Sequence, residues 1–403
     1  MADTENNKNS NSPASTSAPA LRFPGFTEPW QKCRLGDYIR IFSGESPNRI
    51  NSEYDKIPYY KVEQLNWCEK YLGETPYLSQ RGKNILPEGC VVFSKRGAAI
   101  LTNKVRMNLF PINIDTNLMG IKADNSFILD QYLFYFILRA RLNRIADTST
   151  IPQINNIHIN PITIYVPSLA EQEIITKFLA LLDERIATQR RLIEDFISLR
   201  RAILQDAIKR GLSKKSWKFT TLNDILTERG ERNSDGYDVC SVSVSEGVVN
   251  QIEYLGRSFA AKETRQYNVA RYGDIIYTKS PTGSFPYGIV KRDTQKEPAA
   301  ISPLYGVFVP KQDWIGMLLG YYFESEVNTF NYLHPIIQKG AKNTINITNS
   351  GFLANSVPLP SNESEASALA KCLDTITNKI VLEKSVLTHY TEQREYLLSK
   401  MFV

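Results

Sequence analysis

The sequence predicts an α+β protein in which two duplicated α/β domains are separated by two long helices that form an antiparallel coiled coil with pseudo-twofold symmetry. Three observations predict this class. Similar segments recur in the same order in the two halves of the 403-residue chain, as after an internal duplication. Each half ends in a long run of helical periodicity. Short β-rich runs bounded by Gly, Pro or Asn precede each helix, which is typical of strands in a mixed domain.

The duplication is clearest in four matched segments. "ILPEGCVVFSK" (Ile85 to Lys95) matches "VARYGDIIYTK" (Val269 to Lys279) at an offset of 184 residues. Trp30 and Trp217 open similar segments at an offset of 187, and "QIN" and "TIN" segments follow at 191. The long helices recur at 194. This drift is what loop insertions between matched elements produce, because loops tolerate changes in length.

The two long helices share a heptad pattern. Steps of four and three from Ile175 and from Leu369 give two seams of ten positions, of which eight are apolar in each. Seams of this length are typical of a coiled coil, and the charged remaining faces exclude burial on all sides. Two amphipathic helices that each lie on their own domain are the alternative.

The polar exceptions in the seams predict a register. They fall at matching positions, Gln189 and Arg200 in the first helix and Glu383 and Arg394 in the second. An antiparallel pairing of Arg200 with Glu383 and of Gln189 with Arg394 gives all four a partner, and polar seam residues commonly fix register.

Composition and spacing set the domain limits and exclude several classes. We expect a disordered tail over 1–24, domains over 25–166 and 213–360, and helices over 167–212 and 361–403. The five cysteines include no CxxC pair, which argues against a disulfide framework or a zinc site and favours a reducing cytoplasm. The most apolar run, from Tyr132, is too short to span a membrane and is expected to be a helix that covers a sheet.

Together these residues resemble the specificity subunits of Type I restriction–modification systems. The resemblance rests on "VPSLAEQEIITKFLALLDERI", on the "GCVVFSKRG" and "GDIIYTKSPTG" segments, on "QINNIHINPITIYVPS" and on the terminal "REYLLSKMFV". Each motif is loose, but their duplicated order covers the chain after about residue 25. In one departure, Ser364-Glu365 stands where the first half has Glu171-Gln172, so the contacts of the first pair are not expected in the second half.

The resemblance implies a function and partners. Each domain would be a target-recognition domain that reads one half of a bipartite, asymmetric sequence in double-stranded DNA. The helices would set the spacing and bind two modification (methyltransferase) subunits, which restriction (endonuclease and translocase) subunits would join. No cofactor is expected on this chain, and S-adenosylmethionine, ATP and Mg would belong to the partner subunits. No membrane partner is expected.

The chain carries no recognisable catalytic motif, which agrees with a recognition subunit. Asn160-Pro161-Ile162-Thr163 lacks the second proline and the aromatic residue of an amino-methyltransferase motif. No glycine-rich nucleotide-binding loop appears, and no Asp or Glu has Lys two residues on, the spacing that many metal-dependent nucleases use. An enzyme with an unrecognised site and a coiled-coil scaffold that does not bind DNA are the competing hypotheses.

The DNA-contact candidates are basic or glycine-containing loops, because Lys and Arg reach phosphates and guanine acceptors while Gly allows close backbone approach. The first set comprises the matched turns with Lys95, Arg96 and Gly97 and with Lys279 and Thr282. The further candidates are Arg81, Lys83, Lys262, Arg265, Lys339, Lys342 and Asn343. A plain solvated loop is the alternative for each. Trp67 and Trp314 are expected in the core.

Charge is unevenly distributed between the two domains. Lys and Arg exceed Asp and Glu by five over residues 30–165, whereas the two balance over residues 217–360. Since phosphate neutralisation dominates DNA affinity, the second domain needs either a local basic face or help from its partners.

Overall fold

The computed structural model describes residues 18–46, 56–80, 82–148, 151–257, 263–339 and 345–403. The chain forms two compact units. The first comprises Met1–Arg190 with Ser385–Val403, and the second comprises Arg191–Lys384. Each long helix therefore contributes one part to each unit. Among the described residues, no helix is both long enough and apolar enough to cross a membrane.

The first unit is a mixed domain that leads into a long helix. Its strands are β1 (Gln31–Arg34), β2 (Ile39–Ser43), β3 (Ile57–Tyr60), β4 (Leu78–Ser79), β5 (Val91–Ser94), β6 (Val105–Met107), β7 (Asn113–Ile114), β8 (Leu118–Ala123) and β9 (Thr163–Val166). Its helices are α1 (Asp130–Ala140), α2 (Leu142–Ile145), α3 (Asn156–Ile159) and the start of α4 (Leu169–Ser213).

The second unit repeats this plan with extra short elements. Its strands are β10 (Trp217–Thr221), β11 (Leu226–Glu228), β12 (Cys240–Ser243), β13 (Gly247–Asn250), β14 (Asn268–Ala270), β15 (Ile275–Tyr277), β16 (Val290–Arg292), β17 (Ala299–Ile301), β18 (Gly306–Pro310), β19 (Gln338–Lys339), β20 (Ile345–Asn346) and β21 (Ser356–Pro360). Its helices are α5 (Leu222–Ile225), α6 (Gln251–Leu255), α7 (Asp313–Tyr322), α8 (Glu326–Leu333), α9 (Asn349–Ala354) and the start of α10 (Glu363–Lys400).

The sheets of the two units have the same topology. A four-stranded antiparallel sheet has the order β2-β8-β5-β6 in the first unit and β11-β18-β15-β16 in the second. A separate antiparallel pair joins the first strand to the last one before the long helix, β1 with β9 and β10 with β21. The predicted α+β class with duplicated domains is therefore confirmed, and the strand order, which the sequence did not predict, is the same in both units.

One helix covers each four-stranded sheet. α1 buries six consecutive residues, Tyr132–Ile137, because it lies between the sheet and the long helices. The prediction of a helix that covers a sheet is confirmed. α7 holds the equivalent place after β18, with Ile315, Leu318 and Leu319 buried. The charged Asp130 and Asp313 open these two helices, where a negative side chain is favoured by the helix dipole.

The long helices pack antiparallel within each unit. In the first unit, Ile175 and Leu179 share a core with Leu398 and Met401. In the second, Leu204 shares a core with Leu373 and with Ala366 and Ala370. In both places the residue number rises along one helix as it falls along the other. Ile175, Leu179, Leu373 and Met401 are positions of the predicted seams. The buried Leu204, Ala366, Ala370 and Leu398 lie beside the seams, so the helices also bury side chains outside the heptad positions.

The tail predicted over 1–24 is corrected for its last residues. Residues 1–17 lie outside the described residues. Leu21 N donates to Lys400 O at 2.9 Å, and Phe23 lies edge-on to Phe178 with ring centroids 5.6 Å apart. The order of this segment could not be predicted from its composition, because Leu21 and Phe23 make their contacts with residues of the two long helices, far away in the sequence.

Candidate nucleic-acid interface

The turn after β5 is held in shape by its backbone. Ile154 N donates to Lys95 O at 2.9 Å, and Gly97 N donates to Pro152 O at 2.8 Å. Gly97 has a φ of +80°, and no heavy atom lies within 4 Å of the point that a Cβ would occupy. The backbone hydrogen bonds leave the exposed Arg96 side chain on the surface, next to a glycine with open space in front of it.

The matching turn after β15 has a different backbone but the same stiffness. Lys279 has a φ of 59°, which a non-glycine residue adopts only when its surroundings impose it. A Cβ on Gly288 would lie 2.9 Å from Lys279 N, so a glycine is required there. Thr282 and Phe285 exchange two backbone hydrogen bonds of 3.0 Å, which close a hairpin over Gly283.

Lys95 and Lys279 occupy equivalent places at the ends of β5 and β15. Both are half-buried. Burial lowers the pKa of each ammonium, and a carboxylate opposes the shift, Asp115 for Lys95 and Glu228 for Lys279. No ion pair involves either lysine among the residues that the structure describes. The structure thus presents one matched cation just after the equivalent strand of each four-stranded sheet.

The remaining candidates are only partly placed. Lys83 is exposed, and its N donates to Glu45 Oε2 at 3.2 Å, while Glu45 N donates to Ile114 O at 2.9 Å. Lys95 N donates to Asn117 O at 2.8 Å, so the backbones of Lys83 and Lys95 are both connected to β7 and the residues that follow it. Arg265 is exposed and pairs with Glu263 at 3.8 Å. Outside the described residues lie Arg81, Lys262, Lys342 and Asn343, as well as the side chain of Lys339.

Sequence reasoning missed an exposed aromatic residue in the first domain. Trp67, which was expected in the core, is 60% exposed. Its neighbour Asn66 accepts a hydrogen bond from Lys104, and the exposed Leu101 lies in the turn of 3₁₀ helix just before that lysine. An aromatic and an aliphatic side chain beside a cation are residue types that contact bases. The polar neighbours of Trp67 in the sequence were the available signal. Trp314 is half-buried.

Glu171 and Gln172, the "EQ" pair of the first half, position the start of α4. Gln172 is fully buried, and its Oε1 accepts from Leu129 N at 2.8 Å. Its Nε2 donates to Phe127 O at 2.9 Å and to Pro167 O at 3.0 Å. Glu171 accepts two hydrogen bonds, of 2.7 and 2.8 Å, from Arg22. The motif therefore fastens the loop before α1 to the first turn of the long helix.

The second half keeps the glutamate and loses the glutamine, which corrects the alignment by one residue. Ser168 caps α4 and Asn362 caps α10, and three residues later Glu171 N and Glu365 N complete the same turn. Glu365 therefore corresponds to Glu171, and the buried Ala366 corresponds to Gln172. Glu365 Oε1 accepts from Trp217 Nε1 at 3.1 Å, whereas the equivalent buried Trp30 Nε1 has no hydrogen-bond partner among the residues that the structure describes.

The seam arginines bind acceptors outside the predicted seam. Arg200 donates to Glu324 Oε2 and to Thr377 Oγ1, both at 2.6 Å. Arg394 pairs with Asp183 at 2.5 Å. The pairing of Arg200 with Glu383 and of Gln189 with Arg394 stays a prediction. Glu383 pairs within its own helix with Lys379 at 2.5 Å.

A chain of polar side chains joins the first domain to its long helices. Lys70 Nζ donates to the Tyr135 hydroxyl at 2.9 Å, and Tyr135 donates to Asp183 Oδ2 at 2.7 Å. Asp183 in turn pairs with Arg394. Lys70 is only 9% exposed, and burial lowers its pKa to about 8.

We expect the free energy of unfolding of the parent protein to increase at alkaline pH, and we expect Lys70→Met to abolish this increase. The folded pKa of Lys70 lies at about 8 and below its unfolded value, so the unfolded chain binds more protons between about pH 8 and pH 10. The parent protein should therefore gain on the order of 2 kcal/mol in free energy of unfolding over that range, relative to the variant. Urea denaturation across this range measures the difference. Parallel pH curves for the two proteins would contradict the assignment.

Comparison with known proteins finds a family to which part of this chain is similar. Residues 27–195 match the family model described as the Type I restriction modification DNA specificity domain. Those residues run from just before β1 into α4. The predicted resemblance is confirmed over the segment that carries Lys95, Arg96 and the "EQ" motif.

The similarity to specificity subunits extends beyond this domain. The chain is 24% identical to the Type I restriction enzyme MjaVIII specificity subunit of Methanocaldococcus jannaschii, over 90% of this chain and 89% of that protein. The crystal structure of a Type I restriction-modification system S subunit from M. genitalium matches 96% of this chain and 99% of its own, with a TM-score of 0.56 and 14% identity. A structure titled for complex assembly and conformational transition of the type I R-M system matches 94% of this chain and 98% of its own, at a TM-score of 0.54 and 14% identity. At this identity the two structures show a shared fold.

Proposed function

We propose that the chain is the DNA-specificity subunit of a Type I restriction–modification complex, with each domain reading one half of a bipartite, asymmetric site in double-stranded DNA. The observation that carries this proposal is the duplicated sheet, which presents a matched cation, Lys95 or Lys279, in a stiff turn at the same strand end of each unit. The family match over residues 27–195 supports it.

In this proposal the long helices set the spacing between half-sites and bind two modification subunits, to which restriction subunits attach. Several apolar side chains on α4 support a protein-binding role. Ile174 and Phe178 are about two-fifths exposed and Leu181 is 58% exposed. They follow one another at steps of four and three, so they form a stripe on one helix face.

We propose that this chain recognises DNA without catalysing a reaction and needs no cofactor of its own. S-adenosylmethionine, ATP and Mg would act on the partner subunits. Within the described part of the chain, no group of three or more His, Cys, Asp or Glu residues is arranged to hold a metal ion. The proposed role in a restriction complex places the protein in the cytoplasm.

Mapping methylated adenines tests the proposal directly. The chain is co-expressed with its genomic neighbours, and methylation is mapped across the host genome. We expect one split motif with a fixed gap, because two reading domains on one spacer recognise two half-sites at one separation. A continuous motif, or no methylation dependent on this chain, would overturn the proposal.

A scaffold that uses the same helices without binding DNA predicts a different result. Binding of the purified complex to duplex DNA would then be absent or lost against competitor DNA. The favoured function predicts binding that weakens with salt and persists against competitor. The chain alone, mixed with DNA and S-adenosylmethionine, is expected to transfer no methyl group.

A further inference from the structure

A cluster of cations in the second unit lies where α4 meets the edge strand β16. Lys291, at the middle of β16, is half-buried, and Arg200 and Arg201 on α4 are close enough to affect its protonation. Glu324 is the carboxylate within the same range. Arg200 is only 9% exposed, and its Nε has no acceptor among the described residues. These residues line a cavity of about 570 Å³, here called the β16 cleft.

The first unit contains a cluster with the same construction. Arg106 lies at the middle of β6, the strand equivalent to β16, and Arg394 occupies the seam position equivalent to Arg200. Lys70 is the third cation, and Asp183 is the nearby carboxylate. The side chains of Arg106 and Arg394 line a cavity of about 580 Å³, here called the β6 cleft.

Positive side chains outnumber carboxylates in the lining of each cleft, by five to two in the β6 cleft and by five to four in the β16 cleft. Burial lowers the pKa of Lys291, Arg106 and Lys70, because the charged form is poorly hydrated there. Arg106 donates to two backbone oxygens, Leu65 O at 3.1 Å and Val105 O at 2.8 Å, and its side chain also interacts with Cys68. Cations that remain charged in such surroundings are stabilised by a bound anion. The repetition in both units, at equivalent strand and seam positions, shows that neither cluster depends on one irregular loop.

We propose that each cleft binds a phosphate group of the DNA backbone, an inference that rests on the proposed function. The guanidinium fork of arginine matches phosphate oxygens, and phosphate contacts supply most of the affinity for duplex DNA. Residues 217–360 have no net charge. The β16 cleft supplies the missing positive charge, because Arg200 and Arg201 come from the long helix and lie outside that domain.

Arg201→Gln and Lys291→Gln test the β16 cleft. Arg201 is exposed, so its replacement leaves the fold intact, and Lys291→Gln keeps a polar side chain. Lys311→Gln is the matched control, since it removes one exposed charge from the same unit outside the cleft. The full chain, assembled with its modification subunits, is titrated with duplex DNA at several salt concentrations.

Each cleft variant is expected to lower the slope of log affinity against log salt by about one, with no change in the preferred sequence. The control should change the slope by much less. An unchanged slope in both cleft variants, while the parent binds DNA normally, overturns the cleft assignment and leaves the proposed function intact. Failure of the parent complex to bind duplex DNA overturns both.

A protein carboxylate in the clefts would give a third pattern. The variants would then lose co-purifying modification subunits, and the salt slope of the assembled fraction would match that of the parent. That outcome also overturns the phosphate assignment and identifies the clefts as protein-binding sites. Thermal unfolding of each variant confirms that the comparison is made between folded proteins.

Discussion

Inserting seven residues into each long helix is expected to lengthen the recognised gap by about three base pairs and to leave both half-sites unchanged. Seven helical residues add about 10 Å, and DNA rises about 3.4 Å per base pair. The insertion points are after Arg190 and after Lys384, where the chain passes from one compact unit to the other. Every hydrogen bond and core contact inside each unit is then kept.

Methylation mapping of the co-expressed complex measures this effect. An insertion of four residues at the same two points is the matched control. It adds about 6 Å but rotates the following heptad stripe by about 40°, so the seams no longer face each other. We expect it to abolish methylation. A seven-residue insertion that leaves the gap unchanged would show that the helices do not set the spacing.

The long helices could be predicted because their information is local. The seams from Ile175 and Leu369 follow a period of 3.5 residues, and burial confirms the first at Ile175 and Leu179 and the second at Leu373 and Ile380. An apolar stripe that continues along one face for about 40 residues is typical of a long amphipathic helix and of few other structures. The four-stranded sheets were predicted only as short strands, because strand order depends on pairings between distant residues.

The partners of single polar residues could not be predicted in this way. Arg200 binds Glu324, which lies between α7 and α8, and nothing in the heptad pattern points to a residue in the globular domain. Glu365 was aligned one residue off, because the capping residues Ser168 and Asn362 differ in type and the glutamine of the first half is replaced by Ala366. Tertiary packing decides such contacts.

For the candidate contact residues, the sequence predicted some positions and missed others. Lys95 and Lys279 could be matched because they follow equivalent strands in a duplicated chain, and both lie at the strand ends in the structure. Trp67 was assigned to the core by residue type alone and is exposed. Residue type predicts average burial, whereas a side chain used for binding departs from that average.

Gln172→Ala is expected to destabilise the first unit by roughly 2–4 kcal/mol. The substitution removes an acceptor from Leu129 N and donors from Phe127 O and Pro167 O at a fully buried site. Buried backbone groups left without partners carry the full cost of their lost hydration. The second unit holds Ala366 at the same place and needs no such contacts, so its unfolding transition should not move.

Urea denaturation followed by native-state hydrogen exchange separates the two units in this test, since exchange reports each segment. Gln131→Ala is the matched control, because Gln131 makes one exposed hydrogen bond of 3.0 Å, to Tyr71. Its substitution should cost less than about 0.5 kcal/mol. If Gln172→Ala costs no more than the control, the amide does not hold the loop to the helix. A large loss of stability confined to the first unit confirms that Gln172 holds the first domain to the long helix. Because Ala366 has no side-chain amide, the second domain is then held at the equivalent place by other contacts.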